Sequence, residues 1–113
     1  MTTELREPES IDRAYVPWFR DDVVTVPVKD EAVLYEESTG RLHQLDPIGT
    51  IVCSLFDSRT SLAGVISQLV DAFQADRDVI ESDVVRLAQD LGRLGLFQDV
   101  QGEQDEPEGD GGC

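Results

Sequence analysis

From residue 23 onward the apolar positions repeat first with a period of two and then with the period of a helix. In "VVTVPV" (23–28), Val24, Val26 and Val28 share one parity, the repeat of a half-buried strand. Pro27, on the other parity, cannot donate to a ladder and places this strand at the outside of a sheet or at a strand end. After "KDE", the run "AVLYE" (32–36) is apolar on both parities, as suits a central strand. "ESTG" (37–40) reads as a hairpin loop in which Gly40 takes positive φ. "RLHQL" (41–45) returns as a third strand. Its Leu42 and Leu45 fall on opposite faces, which predicts a bulge or an early end.

Three helices are predicted next. Asp46 is an N-cap and Pro47 fits the first helical position, ahead of a stripe of Ile48, Ile51, Val52, Leu55 and Phe56. Thr60 is placed to cap a second helix with the stripe Leu62, Val65, Ile66, Leu69, Val70 and Phe73. Asp78 with Glu81 resembles a capping box for a third helix running to about Leu94, with Gly95 as its C-cap. This helix has two apolar faces. Ile80, Val84, Leu87, Leu91 and Leu94 form the main stripe, which is assigned to the core. About 100° away lie Glu81, Val85, Ala88, Gly92 and Gly95, of which three are small. A row of small residues lets another backbone approach, so this face either packs against a helix or the sheet or forms one wall of a groove. "LFQDV" (96–100) adds a short extended piece.

The order is three strands and then three helices, an α+β fold of winged-helix type with a three-stranded antiparallel sheet. Residues 1–22, with the aromatic cluster "YVPWF" (15–19), form an N-terminal arm expected to pack on the domain or to occupy its groove. Residues 23–98 form the domain and residues 99–113 a disordered acidic tail.

Charge narrows the possible partners. The net charge is −15; residues 23–98 hold twelve acids against six bases, and residues 99–113 hold six acids and no base. No basic stripe is present to displace phosphate counterions, and residues 61–73 contain neither Lys nor Arg. Nucleic acid and acidic membranes are therefore not the expected partners. The N-terminus has neither the basic start nor the apolar stretch of a secretory signal, and no run of about 18 apolar residues occurs, so the expected location is the cytoplasm. Cys53 lies in an apolar helical run and Cys113 ends the tail; a disulfide between them is open but not required.

The third strand carries neither proline nor lysine, the usual blocks to edge pairing. A helix follows at once, so no loop can fold back over it. A free edge beside a shallow helical face is the geometry for strand addition by a partner peptide.

The acidic turn E-x-x-T-G (residues 36–40, with Glu37, Thr39 and Gly40), the strand ending in Leu45-Asp46-Pro47, the Thr-led second helix and the closing L-x-x-L-G-L (Leu91 to Leu96) resemble the PqqD-like family. These are recognition elements for ribosomally made, post-translationally modified peptides, and the likeness spans about residues 24–98. The resemblance implies a winged-helix domain that catalyses nothing and takes no cofactor. It implies a partner leader peptide bound along Arg41, Leu42, His43, Gln44 and Leu45, against Glu81, Val85, Ala88 and Gly92. It also implies a second partner, a peptide-modifying enzyme such as a radical SAM maturase, a leader peptidase or a cyclase. The N-terminal arm and the Cys-ended tail depart from the usual small member.

Other chemistry finds little support. His43, the single histidine, and Cys53 sit on different elements with no orienting group, and there is no Cys/His cluster for a metal. Two alternatives remain: a carrier or fused precursor whose own Cys-ended tail is modified, and a winged-helix transcription factor.

Overall fold

The computed structural model describes residues 5–29 and 31–102. Its strands are β1 (Val23–Val28), β2 (Glu31–Glu36) and β3 (Arg41–Leu45), and its helices α1 (Pro47–Ser54), α2 (Leu62–Phe73) and α3 (Arg77–Arg93). The sheet is antiparallel in the order β1-β2-β3, followed by the three helices: an α+β fold. β2 is central, as its two-sided apolar character requires, and Leu34 at its middle is fully buried. The loop before β3 closes with Gly40 at φ 77°.

The caps follow the chemistry expected of them, with shifts of one or two residues. Asp46 caps α1 by accepting from the Gly49 N–H at 2.6 Å, with Pro47 at the first helical position. Ser61 rather than Thr60 caps α2, because Thr60 is held by the Asp57 carboxylate. Asp76, not Asp78, caps α3. Gly95 at φ 78° follows the last turn and ends it in the left-handed region, as a glycine there allows.

Two strand expectations are corrected. β3 runs in unbroken register with β2 from Arg41 to Leu45, so there is no bulge. Leu42 and Leu45 fall on opposite faces simply because one faces solvent and the other the core. Val24, Val26 and Val28 are exposed, not half-buried, because the helices pack on the other face of the sheet. That inner face carries Ala32, Leu34 and Glu36, all buried.

The arm is part of the core. Ile11 and Tyr15 are 2% and 3% exposed, and Pro8 and Pro17 are fully enclosed. The arm's carbonyls also complete a helix end. The N–H groups of Leu62 and Ala63, two of the orphan donors at the start of α2, bond to the Tyr15 and Arg13 oxygens at 2.8 and 2.7 Å. The segment after α3 does extend as expected: Phe97 pairs with Phe19, and Val100 with Arg6. The boundary of the tail moves accordingly. Residues 99–102 belong to the fold, with Val100 3% exposed and the Asp99 carboxylate accepting from the Tyr15 hydroxyl at 2.6 Å. The rest of the acidic tail and Cys113, with its disulfide and carrier readings, lie outside the described residues.

The small-residue face of α3 is where the arm lands. A Cβ on Gly92 would stand 2.9 Å from Val100 Cγ1, 3.1 Å from Ile11 Cδ1 and 3.7 Å from Pro8 Cβ. Glycine is thus needed for this close approach. At Gly92 that face is packed, and its neighbours are the arm and Val100 rather than a helix or the sheet.

Candidate functional site

Backbone accounting shows which groups of β3 are open. The Glu37 N–H bonds to Asp22 O at 2.8 Å, which makes this an exchanging pair between β1 and β2. Paired groups alternate along an antiparallel ladder, so Val33 and Tyr35 face β1, while Ala32, Leu34 and Glu36 face β3. Their partners Leu45, His43 and Arg41 therefore turn their backbone groups inward to β2. Leu42 and Gln44 turn theirs outward, where no strand among the described residues meets them. The same alternation puts the missing N–H of Pro27 on the outer side of β1, where no ladder bond is lost.

The inner side of β3 is fixed by a buried charge. Glu36, 1% exposed, lies with Oε2 2.5 Å from His43 Nε2 and 4.0 Å from Arg41 Nε, and with Oε1 4.0 Å from an Arg20 guanidinium nitrogen. An unpaired carboxylate there would be strongly destabilising; paired, it locks the side chains of β3 inward. Arg20 joins this cluster to the end of α3 through the Gly95 carbonyl at 2.7 Å, and to Asp22 on its other side. Hydrogen bonds from the Ser38 hydroxyl and then from Arg20 hold the Asp22 carboxyl down at about 2. The edge is thus a preformed strand held from behind. Its sequence signal was an acid at an inward parity, facing two bases across the hairpin.

Beside the C-terminal end of β3 a cavity of about 330 Å³ opens between α1, the end of α2 and α3. Its walls include Ile48, Ile51, Phe73, Ile80 and Leu87, with Asp46, Asp83, Arg86 and Asp90 among the polar residues lining it. Ile48 is 61% and Phe73 53% exposed, and with Ile80 and Leu87, which periodicity assigned to the core, they line an open groove. The excess width of the stripes on α1 and α2 was the available signal.

The predicted site therefore divides. Arg41, Leu42, His43, Gln44 and Leu45 form an edge strand with no further strand beside it among the described residues. Ala88 and Gly92 are buried, Gly92 against Ile11, Pro8 and Val100, while Val85 is partly buried and Glu81 pairs with Arg13 of the arm at 3.7 Å. Of these four, only Glu81 and Val85 keep exposed surface. The groove wall on α3 is its other flank, Ile80, Asp83 and Leu87, because the arm rotates the small face into the core. The described residues of the arm do not line this groove.

His43 and Cys53 make no nucleophile–base pair: the imidazole nitrogen is held by Glu36. Burial pushes the Cys53 thiol up to about 12 from an ordinary 9.0. In a Cys113→Ser variant at neutral pH, Cys53 should react with an aromatic disulfide reagent at least about tenfold more slowly native than unfolded. Because the folded value is the raised one, the contribution of this burial is intact below about 9 and is lost as pH climbs toward 12. Rapid native labelling would refute that enclosure. No helix among the described residues is long and apolar enough to cross a membrane.

A family model, Coenzyme PQQ synthesis protein D (PqqD), matches residues 31–96, from β2 to the segment after α3. Among solved structures, one described as TbiB1 in complex with the TbiA(beta) leader peptide is similar with a TM-score of 0.65 and 25% identity. The likeness covers 72% of this chain and 94% of that one. No curated protein matches.

Proposed function

Because the chain belongs to the PqqD family, we propose that it is a recognition element that captures the leader of a ribosomally made precursor peptide and presents the remainder to a modifying enzyme. One observation carries this most directly: among the described residues no strand meets the outward backbone groups of Leu42 and Gln44, on an edge strand next to an apolar groove. A leader segment adds there as a fourth strand. Residues opposite one another on adjacent strands share a face. Leader residues paired with Arg41, His43 and Leu45 therefore point inward, and those near Leu45 reach the groove walled by Ile48, Ile51 and Leu87.

The groove sets the expected chemistry of the leader. Its apolar walls select large aliphatic or aromatic anchors. Three aspartates against one arginine in its lining, on a chain of net charge −15, favour cationic residues beside those anchors. Catalysis is left to the enzyme. The chain contributes proximity, holding the part of the precursor to be modified at high effective concentration. Likeness to a protein solved with a leader peptide supports the same reading.

The direct test is a titration of the isotope-labelled chain with a synthetic peptide covering the leader of the precursor from the same gene cluster. Amide signals of residues 41–45, 48–52, 80, 83 and 87 should shift, while those of the arm-facing positions 81, 85, 88 and 92 stay in place. Binding without change at residues 41–45 would refute strand addition. Shifts centred on 81, 85, 88 and 92 would mean that the arm is displaced.

A further inference from the structure

The face of the sheet turned away from the helices is apolar and uncovered among the described residues. Val24, Tyr35 and Leu42 form one cross-strand row, Val26 and Val33 a second, and Val28 stands at the end. Val24, Val26, Val28 and Leu42 are 38%, 40%, 50% and 67% exposed. Single exposed apolar side chains are ordinary, but a contiguous patch of them marks an interaction surface.

Size and charge restrict what covers it. Three strands about 4.8 Å apart, six residues long at about 3.4 Å each, span roughly 300 Å². A stable interface takes about 800 Å² from each partner, so this patch is too small for a permanent subunit. Two copies of a chain carrying −15 would also repel each other.

We propose that this face is the transient docking surface for the peptide-modifying enzyme, and that the bound leader completes it. The inference rests on strand addition at β3. Leader residues paired with Leu42 and Gln44 project onto this same outer face. A fourth strand enlarges the patch to about 400 Å² and adds side chains that are present in the loaded state alone. The enzyme thereby meets a sheet of which one strand is its own substrate, and it engages the loaded chain in preference to the empty one. Its contacting surface is apolar with a basic border. That border complements the net charge of −15 and Glu31, which stands at the end of this face, bonded to the Gln44 amide at 2.9 Å.

β1 lies two strands away from the leader, so substitutions there separate docking from leader binding. Val26→Thr with Val28→Thr keeps the branched shape and strand preference of valine. Val26→Lys with Val28→Lys places like charge against the basic border. Anisotropy of a dye-labelled synthetic leader reads binding. Mass spectrometry of the full precursor, treated with the modifying enzyme from the same cluster, reads the coupled rate. For the threonine pair, leader affinity should stay within about twofold of wild type while the modification rate below saturation falls at least tenfold; the lysine pair should fall further. Unchanged modification with intact leader affinity overturns the docking surface. If the wild-type chain fails to bind leader, anisotropy alone reveals it, and strand addition falls together with this inference. Sedimentation showing a dimer that the lysine pair dissolves would give the face to a second copy, which also overturns the proposal.

Discussion

Gln44→Pro should weaken leader binding at least about 30-fold and leave the domain folded. The Gln44 N–H points outward, so a proline there removes no bond to β2, just as Pro27 removes none on the opposite edge. An added strand, however, loses a main-chain hydrogen bond, leaves its own carbonyl without a donor and meets the proline ring. Together these cost about 2 kcal/mol, which is the stated loss in affinity. His43→Pro is the informative contrast. That N–H serves the β2 ladder, so the substitution costs stability, about 3 kcal/mol, whether or not leader is present. Isothermal calorimetry with the synthetic leader and urea unfolding distinguish the two. Affinity of Gln44→Pro within threefold of wild type would place the leader elsewhere.

Removing residues 1–22 should abolish cooperative folding. Ile11, Tyr15 and Phe19 pack into the core beside Leu91, Leu96 and Phe97, and Tyr15 and Phe19 each stack against the Phe97 ring. Burying three such side chains is worth about 6 kcal/mol at roughly 2 each, as large as the whole stability of many small domains. The loss also strips the start of α2 of two carbonyl partners and uncovers Ala88 and Gly92. Ile11→Ala is the milder form, expected to cost 2 to 4 kcal/mol, at the order of magnitude of a buried aliphatic truncation. Tyr15 adds a pH signature. Burial and the bond to Asp99 raise its phenol, so the stabilisation holds below about 10, where an unfolded tyrosine ionises, and is lost above it. Urea midpoints of the full chain, the truncated chain and Ile11→Ala settle the matter. A truncated chain unfolding with the wild-type midpoint would show that the arm is merely an appendage.

The groove and the arm teach opposite lessons about how far a sequence can be read. Strand parity in "AVLYE", the Asp46-Pro47 helix start and the Gly95 stop were legible because each depends on backbone geometry within a few residues. Pro27 at an outer edge was legible for the same reason, since a missing N–H carries its meaning wherever it stands. The unblocked third strand was legible on the same local grounds, since it carries neither proline nor lysine. Gly92 and Ala88 announced a close approach equally clearly, but not what approaches. Beside Val100, the neighbours of Gly92 are Pro8 and Ile11, about eighty positions away in sequence, and no local period encodes such a pairing.

The sequence by itself determined the order of elements, the Asp46 cap and the Gly95 stop, the antiparallel hairpin and the unblocked character of β3. The tertiary structure alone decided which flank of α3 is buried, that Ile48, Phe73 and Leu87 line a groove rather than the core, and that the β1 valines face solvent. The physical reason is that periodicity specifies which residues of an element share a side. Which side is covered is a competition among distant segments for the same apolar surface, and here the N-terminal arm occupies the small-residue face of α3.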